Sequence, residues 1–252
     1  MEGMDKAVSG ASLKDFATAV SDLILPRHCF VCGKRLTLSE RYLCLECRSD
    51  LPYTFFWDQS HNPMADKYNA RILDQVPHGV EEAYGHAAAL LYYNSESGYK
   101  NIPQALKYRS ALGLGREFAD RLGERLASSP EFKDVDCVIP VPLHWRRHRG
   151  RGYNQAAVIA RRVALALGAR FCPEGLRRLR YTKSQTSVGM EKKASNVSDA
   201  FRVLHRVEAR HILLIDDTFT TGSTLAACHK ALREVYPPSV RISVATLSYV
   251  GP

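Results

Sequence analysis

Two adjacent carboxylates and a hydroxyl-rich turn a few residues later are the groups in this chain best placed to do chemistry. Residues 211–224 read HILLIDDTFTTGST. The apolar run from Ile212 to Ile215 has the length and branching of a buried parallel strand, and Asp216 and Asp217 follow it. Thr220, Thr221, Gly222, Ser223 and Thr224 then open an amphipathic helix. Such a turn brings several backbone N–H groups and a helix N-terminus toward one point, which suits a phosphate. Acids beside a phosphate repel it unless they accept hydrogen bonds from sugar hydroxyls, so the combination points to a phosphorylated ribose. No G-x-x-x-x-G-K-[ST] run occurs, which leaves a Walker-type ATP site without an anchor.

Four cysteines offer a second chemistry. Cys29 and Cys32 form one C-x2-C pair, Cys44 and Cys47 another, and eleven residues separate the pairs. That is the spacing of two zinc knuckles facing each other, with four thiolates and no open position, hence a structural zinc site. Gly33 follows Cys32 where such a turn needs a permissive backbone, and His28 lies just outside as a weaker substitute ligand. Two basic loops offer a third. In residues 140–155, PVPLHWRRHRGRGYNQ, two Gly let the backbone approach a ligand, and Arg147, Arg149 and Arg151 present guanidinium forks suited to a pyrophosphate. Residues 180–201, RYTKSQTSVGMEKKASNVSDAF, are polar and bounded by apolar segments, which fits a lid closing over a charged ligand.

The elements that must position these groups alternate along the chain. Leu13, Phe16, Val20 and Ile24 are spaced as on a helix that Pro26 stops. Residues 51–78 mix aromatics, Asn and Pro without a sustained period and read as a connector. A strand is expected at AAALLYY, and one or two helices through Ile102, Leu106, Leu112, Leu114, Phe118, Leu122 and Leu126. A strand over 135–141, a helix from about Asn154 to Leu167, the motif strand and its helix, and a strand over 240–247 complete the series. This pattern predicts an α/β fold with a mostly parallel sheet. The expected divisions are an N-terminal helix and zinc module (1–52), a connector (53–79) and an α/β domain with a hood region (80–252). Cys137, Cys172 and Cys228 stand singly in strand-like or helical stretches and read as ordinary buried thiols.

Composition narrows the partners. The 252-residue chain carries a net charge of +9, and residues 144–193 hold 13 Lys and Arg against Glu174 and Glu191, a local +11. So uneven a distribution implies a polyanionic partner: a pyrophosphate-bearing small molecule, a nucleic acid, or both. The first residues carry acids and lack an apolar run suited to export, and no stretch is long enough to span a membrane, so a cytoplasmic location is expected. In a reducing compartment, paired cysteines favour metal over disulfides.

Together these motifs carry a resemblance. The strand, two acids and T-T-G-x-T resemble the phosphoribosyl-pyrophosphate (PRPP) signature of type I phosphoribosyltransferases, with Thr218 where Val or Ile is usual. The paired C-x2-C knuckles, Leu106-Lys107-Tyr108, PVP with R-G-[FY]-N-Q (Arg151 to Gln155), T-x-x-Q (Thr182 to Gln185) and N-V-x-x-A-F (Asn196 to Phe201) are similar in content and order to the ComF family. The resemblance implies a type I phosphoribosyltransferase core with a small N-terminal zinc module. It implies that Asp216 and Asp217 bind ribose hydroxyls and that Thr220 to Thr224 wrap the 5′-phosphate. Arg147, Arg149 and Arg151 would face a pyrophosphate that Mg²⁺ bridges to ribose oxygens, and Lys183, Gln185, Lys193 and Asn196 would belong to the lid. Lys193 stands where the family commonly has Arg. The family also implies a link to DNA uptake and competence proteins. The alternative is a nucleic-acid-binding accessory that uses the PRPP fold without turnover and holds single-stranded DNA on the basic region, with Trp145, Tyr153 and Tyr181 as stacking surfaces. No side chain is an evident general base for an acceptor.

Overall fold

A computed structural model describes residues 13–75, 82–106, 112–143, 152–179 and 200–251, the first helix by its backbone alone as far as residue 18. The chain divides into two compact units, Met1–Leu51 and Pro52–Pro252.

In the first unit helix α1 (Leu13–Ile24) ends just before Pro26, and α2 (Leu45–Ser49) starts from Cys44 as its cap. Short-range polar contacts hold the loop between them. The Arg27 guanidinium donates to the Asp22 carboxylate at 2.9 Å and to the Thr37 carbonyl at 3.1 Å. The Glu40 carboxylate accepts from the Thr37 and Leu45 N–H groups at 2.8 and 2.7 Å, tying the segment between the two cysteine pairs to the start of α2.

The second unit is built on a five-stranded sheet. Its strands are β1 (Ala87–Tyr93), β2 (Cys137–Pro140), β3 (Arg170–Phe171), β6 (His211–Phe219) and β7 (Arg241–Val250), in the order β1-β7-β6-β2-β3 and all parallel. A small antiparallel pair, β4 (Leu176–Arg178) and β5 (Phe201–Val203), lies between β3 and β6 in sequence. The helices are α3 (Pro63–Leu73), α4 (Asn101–Ala105), α5 (Leu112–Ser128), α6 (Gln155–Leu167) and α7 (Ser223–Arg233).

Parallel crossovers are right-handed, and this fixes the layers. The chain steps in one direction along the sheet from β1 to β2 and on to β3, so α5 and α6 share a face, where they pack on each other. At Gly123 of α5 a Cβ would lie 2.7 Å from the Ala166 methyl, so the two helices approach there closely. From β3 to β6 and from β6 to β7 the chain steps back, which places the β4–β5 hairpin and α7 on the other face, again in contact with each other. The connections of neighbouring strands β2 and β6 therefore leave in opposite directions, and the gap beyond their carboxyl ends is the switch point where such sheets bind ligands.

The motif strand lies at the centre. Ile212, Leu213, Leu214 and Ile215 are wholly buried, each contributing about 1.5–3 kcal/mol through removal from water. Contrary to the reading that places the acids after the strand, β6 runs on through Asp216 and Asp217 to Phe219. Its neighbour β7 is long enough to continue the ladder, with Asp216 opposite Thr246, Thr218 opposite Ser248 and Phe219 opposite Tyr249. Thr218 is explained by this register: its hydroxyl lies 3.0 Å from that of Ser248, a polar pair where two apolar side chains would otherwise meet.

The segment read as an aperiodic connector contains a full helix, α3. Asn62 caps it, its Oδ1 accepting from the Met64 and Ala65 N–H groups at 3.1 and 3.0 Å while its Nδ2 donates to the Ala87 carbonyl at 2.9 Å. Pro63 takes the first turn, and Met64, Ala65, Tyr68 and Ile72 form the buried stripe. Tyr68 donates to or accepts from His229 Nδ1 of α7 at 2.8 Å. Glu82 completes a buried polar cluster there, 3.4 Å from His229 Nε2 and in contact with the Arg233 guanidinium. Burial works against ionising Glu82, but its His229 and Arg233 partners overcome this and hold its carboxyl below the usual value.

At the opposite end of β6, His211 Nδ1 lies 2.9 Å from Asp134 and Nε2 lies 2.8 Å from the Ser243 hydroxyl. The spacing is that of a hydrolytic triad, but His211 and Ser243 are buried, and burial, aided by His86, pushes His211 down to about 4. A neutral buried imidazole between two partners acts as a clamp joining β6 and β7 to the turn before β2. Cys137 and Cys172, read as isolated thiols, touch across β2 and β3 with their sulfurs 3.2 Å apart.

Candidate ribose-phosphate site

The carboxyl ends of β2 and β6 enclose a cavity of about 470 Å³. Asp216, Asp217, Thr218, Thr220 and Thr224 line it from the motif, and Val141, Pro142, Leu143, Asn154 and Gln155 from the end of β2 and the start of α6. Thr221, Gly222 and Ser223 make the turn between the two lining threonines. Gly222 caps α7 with φ 75°, a left-handed conformation, and a Cβ there would lie 2.7 Å from the Phe219 ring. Glycine is therefore required twice over, by backbone angle and by space. The Thr221 and Ser223 hydroxyls lie 3.0 Å apart, and α7 begins with its N–H groups directed back toward the turn.

The two acids have an unusual electrostatic setting. Burial first, and then the charge of Asp217, push the Asp216 carboxyl up to about 8, although the Asp217 N–H donates to Asp216 Oδ1 at 2.9 Å and Arg178 pulls the other way. At neutral pH the pair thus keeps a proton. A cation or a set of hydroxyl donors placed between the acids removes the reason for that proton, which is how a sugar or a metal-bound sugar phosphate would be received.

Arg178 is the residue here that sequence reasoning placed elsewhere. In the sequence it is one of the 13 Lys and Arg of residues 144–193, whereas β4 brings it into the cavity wall, with its guanidinium 5.3 Å over the Phe201 ring. Tyr93, Gln104 and Val250 also line the cavity without having been singled out. Their elements, β1, α4 and β7, meet only in the folded sheet. Asn154 and Gln155 stood in a recognised motif but had been given no role. Asn154 caps α6 through Ala156 N–H at 3.1 Å and donates to the Val141 carbonyl at 3.0 Å, fixing the helix start against the end of β2. Arg147, Arg149, Arg151, Lys183, Gln185, Lys193 and Asn196 lie outside the described residues, as do Trp145, Lys107, Tyr108 and Tyr181.

In the first unit the sulfurs of Cys29, Cys32, Cys44 and Cys47 all lie within 4.8 Å of one another. Cys32 and Cys44 are 3.7 Å apart, against roughly 3.8 Å for the edge of a tetrahedron with metal–sulfur bonds of about 2.3 Å. Burial opposes ionising Cys29, but N–H groups of Cys32, Cys44 and Val31 outweigh it and hold the thiol at about 7, while burial and the neighbouring sulfurs push Cys47 up. Such a cluster can hold a metal ion such as zinc. Gly33 has φ 74°, as its place in the knuckle requires, and His28 instead pairs with Arg35 in an isolated bridge.

No helix among the described residues is long and apolar enough to cross a membrane. A hollow of about 990 Å³ runs along α6, with Arg116, Arg161, Arg162 and Tyr153 in its wall. Arg162 is engaged by Asp120, and its second nitrogen lies 2.6 Å from Asp120 Oδ2.

Comparison with known proteins matches parts of this chain. The family described as the phosphoribosyl transferase domain matches residues 153–248. DNA utilization protein YhgH of Escherichia coli O6:H1 is 37% identical over 91 residues, and its namesake in Salmonella typhimurium is 35% identical over 91 residues. Each match covers 36% of this chain and 40% of the relative. Competence protein F of Haemophilus influenzae is 29% identical over 115 residues, which is 44% of this chain and 50% of that protein. The matches therefore span half or less of these relatives' length.

Proposed function

We propose, from the premise that this chain is a ComF-family protein carrying a phosphoribosyl transferase domain, that its site binds PRPP with Mg²⁺ and serves a process linked to DNA uptake. The observation that carries the reading is the convergence in one cavity of the acid pair and the Thr220–Thr224 turn at the sheet's switch point. Asp216 and Asp217 accept the ribose hydroxyls, and the turn and the α7 N-terminus receive the 5′-phosphate. Bound Mg²⁺ would neutralise charge shared by the pyrophosphate and ribose oxygens, and the acidic centre of the cavity fits such a cation. Departure of pyrophosphate leaves a positive sugar carbon, which carboxylates nearby stabilise and exclusion of water from the cavity would protect. Arg147, Arg149 and Arg151 are proposed to face the pyrophosphate, and Lys183, Gln185, Lys193 and Asn196 to belong to the lid. We take the cysteine cluster to hold structural Zn²⁺, and the protein to act in the cytoplasm.

Pyrophosphate release from PRPP with Mg²⁺, measured across a panel of bases and nucleotides, tests the transferase reading. Base-dependent release supports it, and none with any acceptor leaves a binding module without turnover. The relatives' names and the arginine-lined hollow along α6 favour a second reading, in which the chain also holds single-stranded DNA as a competence accessory. Salt-dependent binding of single-stranded DNA is its signature, and absence of binding at low salt contradicts it.

A further inference from the structure

Gln155, the first residue of α6, lies in the wall of the cavity that holds Asp216 and Asp217. Its side chain is almost fully enclosed, at 2% exposure, and its Nε2 has no hydrogen-bond partner. Leaving a buried donor unsatisfied costs a folded protein stability, so an amide kept in this condition calls for a partner that arrives from outside. Its neighbour differs, because both ends of the Asn154 amide are engaged in holding the helix start.

The charge pattern of the cavity indicates which part of a ligand the amide would meet. The acids at its centre suit hydroxyls and repel anionic oxygens, and the Thr220–Thr224 turn takes one phosphate. A second phosphorylated group must therefore sit where donors are. Gln155 and Arg178 supply them, beside the carboxyl end of β2 and the first turn of a 13-residue helix.

We propose that Gln155 is the residue by which this site distinguishes a diphosphorylated sugar from a monophosphorylated one, its Nε2 donating to a diphosphate oxygen. The inference rests on the PRPP reading above. An amide suits the task because it offers a donor without adding charge or titrating with pH, and leaves the acid pair's balance undisturbed.

The test compares full-length wild type with Gln155→Leu and Gln155→Met, which keep the volume but remove the donor. Unliganded melting temperature is measured, together with affinity for PRPP and, by competition, for ribose 5-phosphate, each with Mg²⁺. Both variants should melt at or above the wild-type temperature, bind PRPP about 5- to 100-fold more weakly, and bind ribose 5-phosphate within about twofold of wild type. Opposite signs for stability and binding are what a merely structural glutamine would not give. Unchanged PRPP affinity, equal losses for both ligands, or melting well below the wild type in both variants would each overturn the proposal while leaving the PRPP reading in place. A wild type that binds neither ligand removes that reading and this inference with it.

Discussion

Replacing Asp216 by Asn should stabilise the unliganded protein, and increasingly so as pH rises. A carboxyl titrating near 8 in the folded chain and near about 3.9 when unfolded binds an extra proton in the folded state throughout that interval. Folding stability therefore falls as pH climbs from about 4 to about 8 and levels off above. At about 1.4 kcal/mol per pH unit the interval bounds the loss at roughly 5–6 kcal/mol. Partial exposure of Asp216 and sharing of the proton with Asp217 reduce this to about 2–4 kcal/mol. Asn keeps an oxygen for the Asp217 N–H and has no charge to bury, so it escapes the loss. The assay is thermal unfolding of wild type and Asp216→Asn at pH 5 and pH 9, without ligand or divalent cation. At about 2–4 °C per kcal/mol for a chain of this size, the variant's advantage should grow by about 5–15 °C between the two pH values. An advantage that is absent or the same at both would show that burial and Asp217 do not hold a proton on Asp216, and that the acid pair is an ordinary solvated one.

Other perturbations probe separate parts of the molecule. Protein purified without chelator should carry about one zinc per chain, and Cys44→Ser should lose the metal and unfold the first unit while the α/β unit keeps its cooperative melt; metal analysis and a two-domain melting profile check this. Glu82→Ala removes the carboxylate that His229 and Arg233 share, leaving Arg233 the Pro237 and Val240 carbonyls and His229 the Tyr68 hydroxyl, and should cost about 2–4 kcal/mol by urea unfolding; a loss under about 1 kcal/mol would mean that water reaches the cluster. If the hollow along α6 holds single-stranded DNA, Arg116→Ala with Arg161→Ala should lower both the affinity and its salt slope without changing PRPP binding. Arg178 is unsuited to that experiment because it lines the cavity of Asp216 and Asp217.

What the sequence discloses here depends on how local each signal is. The motif strand, the turn and the two cysteine pairs are contiguous runs whose chemistry and geometry are set within a few residues, and the structure assembles them into one turn and one cluster. Helix α3 escaped detection because polar residues interrupt its buried stripe, although Asn62-Pro63 is a start signal. Arg178 could not be placed because β4 is three residues long and its register comes from β5, more than twenty residues away. Thr218 looked like a departure until β7 supplied Ser248 across the ladder. Gln155 closes the R-G-[FY]-N-Q motif, but its particular role is hidden there, since an unpaired buried donor is visible only once its surroundings are built.

The central claim is that Asp216, Asp217 and the turn after them form a PRPP site, and calorimetric titration of PRPP with Mg²⁺ tests it most directly. Wild type should bind, and Asp216→Asn with Asp217→Asn should not, while circular dichroism and melting show the double variant folded. Unchanged affinity in a folded double variant, or no heat with wild type, would contradict the account.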